Sequence, residues 1–251
     1  MAWLLRWASF SMVFYGWLTL ADLKYRTSGV VLWPFKMLAT AVAPFLTLAG
    51  AALALLGLKR RDALAAGMAV LGAAAATRYT AQVVAPHDGF AQAFGPGWEE
   101  RIPPARRTRF LRRRYTPLMP APPRSIRQQD VAYGVNPATG QTLLADLWHP
   151  PAGVSRSGLG IIYVHGGAWR LGEKDMGTRT FFRRLASQGH VVMDIEYTLA
   201  PATDVPGMVG DVKRALIWFK QHAAANGVKP QHIVLIGGSA GGHLALLAAF
   251  T

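Results

Sequence analysis

Apolar positions are distributed along this chain in two ways. In the first 85 residues they form three nearly continuous runs, 3–20, 32–57 and 63–85, broken by single charges such as Arg6, Lys36 and Arg78. A helix of about 20 apolar residues spans the hydrocarbon core of a bilayer, so the runs predict about three transmembrane helices over residues 1–85. Lys24 and Arg26 lie in the first connection, and Lys59, Arg60 and Arg61 lie in the second. Charges gathered between apolar runs are what membrane insertion leaves behind. A cleaved signal peptide fits the first run less well, because no Ala-x-Ala site follows it and more apolar runs do. The Ala- and Gly-rich third run also suits a buried soluble helix, while small residues equally suit packing between membrane helices. Charge alone does not fix the orientation, but the Lys59–Arg61 cluster favours a large C-terminal domain outside the cytoplasm.

From Asp130 the apolar positions recur in short sets. Val131–Val135 and Thr142–Trp148 read as a strand pair joined through the turn-forming 136–140. Gly160–His165, His190–Tyr197 and Ile233–Ile236 read as strands, and Thr178–Gln188 and Val209–Asn226 as helices, the latter with Val212, Leu216 and Phe219 on one face. A strand pair followed by βαβ units predicts an α/β domain over 130–251, with a mostly parallel sheet and helices on both faces. Between these regions, 86–129 contains eight prolines and many arginines and reads as a tether without a core of its own. Its arginines, Arg101 to Arg114, suit either anionic headgroups or a solvated linker.

Composition sharpens this division. The hydrophobic fraction is 51% against 16% charged, which favours membrane segments. There is no cysteine, which excludes disulfide and thiolate chemistry. The net charge of +14 raises nucleic-acid binding. However, the cations cluster in the linker and beside apolar runs, with no aromatic platform, so no nucleic-acid partner is expected. No pair of histidines has metal spacing with a carboxylate, so no metal is expected, and no cofactor.

The chemistry concentrates at Gly237-Gly238-Ser239-Ala240-Gly241, between an apolar strand and a helix-like stretch. Strand, Gly-x-Ser-x-Gly, helix is the context of a nucleophile elbow, with Ser239 lifted above the sheet. A dinucleotide fingerprint fails on spacing, since Ser239 or Ala240 falls where its second glycine must be. A phosphate loop fails because no Gly-Lys-Ser/Thr follows. His165-Gly166-Gly167-Ala168-Trp169 comes directly after a buried strand, a placement that presents backbone N–H groups to a developing oxyanion. The N–H of Ala240 would be a second donor. His165 precedes the serine, which disfavours a catalytic-base role and favours a structural hydrogen bond that fixes the loop. His190, His222 and His232 fall at element ends, and His87 and His149 in loops.

Those two motifs, with Tyr197-Thr198-Leu199-Ala200-Pro201 between them, make the stretch from about 130 to 251 similar to the N-terminal half of α/β-hydrolase carboxylesterases of the hormone-sensitive-lipase and feruloyl-esterase-like groups. The resemblance does not extend to 1–129. It implies an incomplete α/β-hydrolase fold with nucleophile Ser239, oxyanion amides from Gly166, Gly167 and Ala240, and support from His165, Trp169, Gly237 and Gly241. Glu196, Thr198 and Ala202 depart from the family's usual Asp, Arg and Glu around Tyr197. His243 resembles a packing histidine of the family. The acid and histidine of a triad come after the serine in this fold, and only twelve residues follow Ser239. The expectation is therefore a fragment, inactive alone, of a membrane-anchored serine esterase acting on a hydrophobic acyl ester. An amide or formamide hydrolase, or a non-catalytic membrane protein with a degenerate hydrolase-like binding domain, are the alternatives.

Overall fold

The computed structural model describes residues 2–23, 27–85, 89–107 and 120–251. It forms two compact units, Met1–Met119 and Pro120–Thr251.

The first unit is helical: α1 (Ala2–Leu20), α2 (Thr27–Ala41), α3 (Ala43–Lys59) and α4 (Ala63–Val84). The second apolar run, expected as one helix, is two helices bent by 79°. Pro44 explains the break, because in a continuous helix its ring would meet the carbonyl of Thr40 and its missing N–H would cost a hydrogen bond; it sits instead in the first turn of α3. Among the described residues no single helix is long and apolar enough to cross a membrane, and only the bent pair Gly29–Ala41 with Ala43–Lys59 meets that requirement together. The expected three single-helix spans are therefore not supported as such.

Packing in this unit depends on small residues. A Cβ on Gly16 of α1 would lie 2.6 Å from the Gly72 carbonyl oxygen of α4, and one on Gly72 would lie 2.3 Å from that of Met12. Ser9, Ala65, Ala69 and Ala76 are buried, while Trp3, Leu48, Leu55 and Leu71 are 62%, 68%, 68% and 65% exposed. Asp62 caps α4 by accepting from the Ala65 N–H at 3.1 Å, and its other oxygen pairs with Arg6 Nε at 2.9 Å.

Part of the expected linker is helical. It contains α5 (Gly89–Phe94), a 3-10 turn at Trp98–Arg101 and α6 (Pro104–Arg107), with the Phe90 ring stacked on Trp98 at 5.1 Å. Residues 86–88 and 108–119, with Pro86, Pro117, Arg109 and Arg112–Arg114, lie outside the described residues.

The second unit is a five-stranded sheet: β1 (Ile126–Val135), β2 (Thr142–His149), β3 (Gly158–Val164), β4 (Val191–Ile195) and β5 (Val228–Gly237), in the order β1-β2-β4-β3-β5. Pairs β1/β2 and β2/β4 are antiparallel; β3/β4 and β3/β5 are parallel. The sheet is thus mixed rather than mostly parallel. The tight turn after β1 allows only an antiparallel return, and Asn136 Oδ1 holds it by accepting from the Ala138 and Thr139 N–H groups at 3.0 and 3.2 Å. Helices separate the parallel strands in the chain: α7 (Arg179–Ser187) lies between β3 and β4, and α8 (Val205–Gln221) between β4 and β5.

Helices cover both faces. On one, Phe182 of α7 packs with Trp148, Ile161 and Val192. On the other, Val212 and Phe219 of α8 and Leu244 of α9 (Ala240–Phe250) pack on Ile162, Val164, Met193 and Ile195. Strand neighbours such as Ile161 and Ile162 divide between the two layers because side chains alternate across a strand. Among the described residues β5 pairs only with β3, and a groove of ≈ 570 Å³ lined by Leu216, Ile233, Leu235 and Leu246 runs beside it.

Candidate active site

β5 ends at Gly237 and α9 begins at Ala240, leaving two residues to reverse the chain. Ser239 takes φ 53, ψ −123, a conformation that L residues rarely adopt and that costs on the order of 1–3 kcal/mol. Its side chain is exposed, while Ala240 is buried. Ala240 is the first residue of α9, where helical N–H groups have no partner within the helix. The turn is possible only because backbones meet closely: a Cβ on Gly241 would lie 2.0 Å from the Val164 carbonyl oxygen and 2.5 Å from that of His165. Gly241 N–H donates to the Gly238 carbonyl at 2.9 Å, and His243 N–H to that of Ser239 at 3.1 Å.

The loop after β3 packs on this turn. A Cβ on Gly166 would lie 2.9 Å from the Gly238 carbonyl oxygen and 3.5 Å from Ser239 Cβ. Gly167 takes φ 128, and Ala168 and Trp169 also have positive φ, so the loop turns sharply over three residues. The Gly167 carbonyl accepts from the Arg170 and Leu171 N–H groups at 3.0 and 2.9 Å.

His165 is buried under the loop. Its Nδ1 donates to the Gly166 carbonyl at 2.8 Å, and its ring stacks on Tyr197 at 4.5 Å. Burial pushes the imidazole below its ordinary pKa. The Tyr197 hydroxyl donates to the His165 carbonyl at 3.2 Å, and burial raises its own pKa. Ala200 N–H donates to the Trp169 carbonyl at 2.9 Å. The indole of Trp169 meets His243 edge to face at 5.5 Å. Gly166, Gly167, Trp169, Tyr197, Ser239 and His243 are therefore gathered at the ends of β3, β4 and β5. Among the described residues no histidine is hydrogen-bonded to the Ser239 hydroxyl, and none of the groups of His, Asp or Glu is arranged to hold a metal ion.

Two supports were not apparent from motifs. Asp211 of α8 is fully buried and accepts from Asn136 Nδ2 at 3.0 Å, from the Thr198 N–H at 3.0 Å and from Arg214 at 3.1 Å. It ties the first turn and the segment after β4 to one helix. The sign of it in the sequence is an acid lying on the apolar stripe of α8. Asp146 and Asp194 face each other across β2 and β4 and are both buried. Arg127 and Lys174 pair with Asp146, and Asp194 accepts from the Asp175 N–H at 2.6 Å. Burial pushes the Asp194 carboxyl up to about 7, and the neighbouring Asp146 and Asp175 add to this.

Comparison with known proteins gives several likenesses. Residues 145–251 match the family described as BD-FAE. The chain is 33% identical over 176 residues to "Esterase LipQ" of Mycobacterium tuberculosis, covering 66% of this chain and 40% of LipQ. It is 36% identical over 123 residues to "Probable carboxylic ester hydrolase LipM" of the same organism, covering 49% and 28%. These matches support an α/β-hydrolase carboxylesterase family. The match to LipQ covers more of the chain than 130–251 contains, so the likeness reaches into the first 129 residues, contrary to the expectation that it stopped there. Among solved structures, Thermogutta terrifontis esterase 2 phosphonylated by cyclosarin aligns with 32% identity and a TM-score of 0.41, covering 46% of this chain and 44% of that one. The chain spans less than half the length of the curated hydrolases named above.

Proposed function

We propose that these 251 residues carry the nucleophile and oxyanion hole of a membrane-held serine carboxylesterase. The observation that carries the reading is Ser239, exposed at φ 53 on a two-residue turn with the Gly166 loop packed against it. In this account Ser239 Oγ attacks the ester carbonyl carbon and gives its proton to a base. The oxyanion of the tetrahedral intermediate is held by the amides of Gly166, Gly167 and Ala240. The alcohol leaves with that proton, and water then releases the acid from the acyl-serine. His165 positions the loop, since its Nδ1 proton is engaged by Gly166 and its ring is buried. The substrate class is a hydrophobic acyl ester. The test is hydrolysis of p-nitrophenyl butyrate by the intact protein: turnover abolished by Ser239→Ala supports the reading, and turnover unchanged by that substitution refutes it.

The membrane part of the reading rests on the distribution of residues in the helical unit. Its interior is mostly Gly, Ala, Ser and Thr, joined by Leu5, Met12 and Leu18, while many of its large apolar side chains, Trp3, Leu48, Leu55 and Leu71 among them, face outward. Water-soluble proteins seldom expose so continuous an apolar surface, whereas helices in lipid pack through small residues. The bent pair Gly29–Ala41 with Ala43–Lys59 is together long and apolar enough to cross a bilayer. The basic α3–α4 turn supports a reading in which the hydrolase unit lies outside the cytoplasm. Resistance to extraction by alkaline carbonate supports anchoring, and release into the soluble fraction refutes it.

A second reading, a hydrolase-like binding module without catalysis, is favoured by the absence of a histidine hydrogen-bonded to Ser239 among the described residues. It predicts no turnover in the intact protein.

A further inference from the structure

The Arg6–Asp62 pair brings the N-terminal end of α1 to the turn between α3 and α4. That turn carries Lys59, Arg60 and Arg61, all exposed. Asp62 is the one carboxylate among them, and both its oxygens are engaged, one by the Ala65 N–H at the start of α4 and one by Arg6. Four cations thus face one carboxylate at this end of the unit, leaving an excess of three positive charges.

Beside it runs an apolar groove of ≈ 350 Å³ lined by Trp3, Arg6, Trp7, Phe10 and Met68. Arg6 belongs to both features: it lines the groove and reaches Asp62, and its side chain is still 55% exposed. A ligand that fits must be anionic at the turn and aliphatic along the groove. Two such halves in one molecule describe a phospholipid with net negative headgroup charge.

We propose that this end of the helical unit is a binding site for an anionic phospholipid. The phosphate lies among Arg6, Lys59, Arg60 and Arg61, and one acyl chain lies along Trp7, Phe10 and Met68. The proposal rests on the reading that the helical unit lies in a membrane. Guanidinium groups match phosphate oxygens through paired N–H donors, and aromatic rings with a cationic neighbour suit the interfacial depth at which headgroup and chain meet.

The test uses the full chain in phosphatidylcholine bilayers containing trace spin-labelled phosphatidylglycerol or, separately, spin-labelled phosphatidylcholine. Electron spin resonance reports the fraction of each lipid held at the protein. Wild type is expected to restrict phosphatidylglycerol in preference to phosphatidylcholine, and K59Q/R60Q/R61Q to bring the two to parity. Should the triple variant not retain helicity by circular dichroism, Arg60→Gln alone, on the exposed turn, is expected to cut the preference about 5-fold. Trp7→Ala should weaken retention of phosphatidylglycerol with the charges intact. Equal restriction of both lipids by wild type overturns the proposal while leaving membrane embedding in place. So does a preference that survives the charge variants, or one abolished by millimolar inorganic phosphate at constant ionic strength. Restriction of neither lipid overturns the membrane reading itself.

Discussion

Gly241→Ala is the sharpest structural perturbation of the elbow. The added Cβ would lie 2.0 Å from the Val164 carbonyl oxygen and 2.5 Å from that of His165. An ordinary carbon–oxygen contact is about 3.3 Å or longer, so the shortfall at Val164 is about 1.3 Å. Both opposing atoms are backbone, at the end of β3 and the start of the Gly166 loop, and no rotamer change relieves them. Either the start of α9 or the loop must shift by about an ångström. Overpacking of this kind costs roughly 1–3 kcal/mol or more. At about 4 °C per kcal/mol for a unit of this size, the sheet-containing unit should melt about 8–12 °C lower for a cost of about 2–3 kcal/mol. A shift of that size between Ser239 and the Gly166 loop should also slow reaction of Ser239 with a fluorophosphonate by about 100-fold under the proposed mechanism. Gly238→Ala is the internal control, because its Cβ meets nothing within 4 Å; its melting point should stay within about 2 °C of wild type. Thermal unfolding followed by circular dichroism, with labelling rates on the same samples, reads both effects. Gly241→Ala with wild-type stability and labelling would refute the claim that backbone contact at this glycine shapes the elbow.

Other outcomes follow from the same structure. Asp211→Ala leaves Asn136, the Thr198 N–H and Arg214 without their acceptor; urea unfolding should show a loss of about 3–5 kcal/mol. Asp194 has a folded-state pKa raised to about 7, chiefly by burial, so its contribution to stability is full below about pH 4, declines as pH rises and is lost above about 7. Asp194→Asn should flatten the change in urea midpoint between pH 5 and 8, and an unchanged slope would count against the buried carboxyl as its source. Gly72→Leu places a side chain where a Cβ alone would lie 2.3 Å from the Met12 carbonyl oxygen; α1 and α4 should separate, with protease sensitivity appearing in the helical unit at temperatures where wild type resists.

The elbow was legible in the sequence because its determinants are local: an apolar strand, glycines around one serine, and a helix, within about 20 residues. The Gly166 loop was legible for the same reason. The break at Val42 was not read from the apolar run, because composition is alike on both sides and only Pro44 marks it. The mixed sheet was missed because strand order is a long-range property; β2 lies beside β4, and nothing local to either strand encodes that neighbour. The role of Asp211 was missed likewise. Its partners Asn136 and Thr198 are 75 and 13 positions away, although an acid between Met208 and Val212 on a buried stripe is an anomaly a helical projection exposes.

The most direct test of the central claim is to treat the intact protein with a fluorophosphonate and map the adduct by mass spectrometry. The account predicts a single phosphonylated peptide, modified at Ser239 and absent after Ser239→Ala. A folded protein that gives no adduct at Ser239, or one whose labelling survives Ser239→Ala, would contradict it.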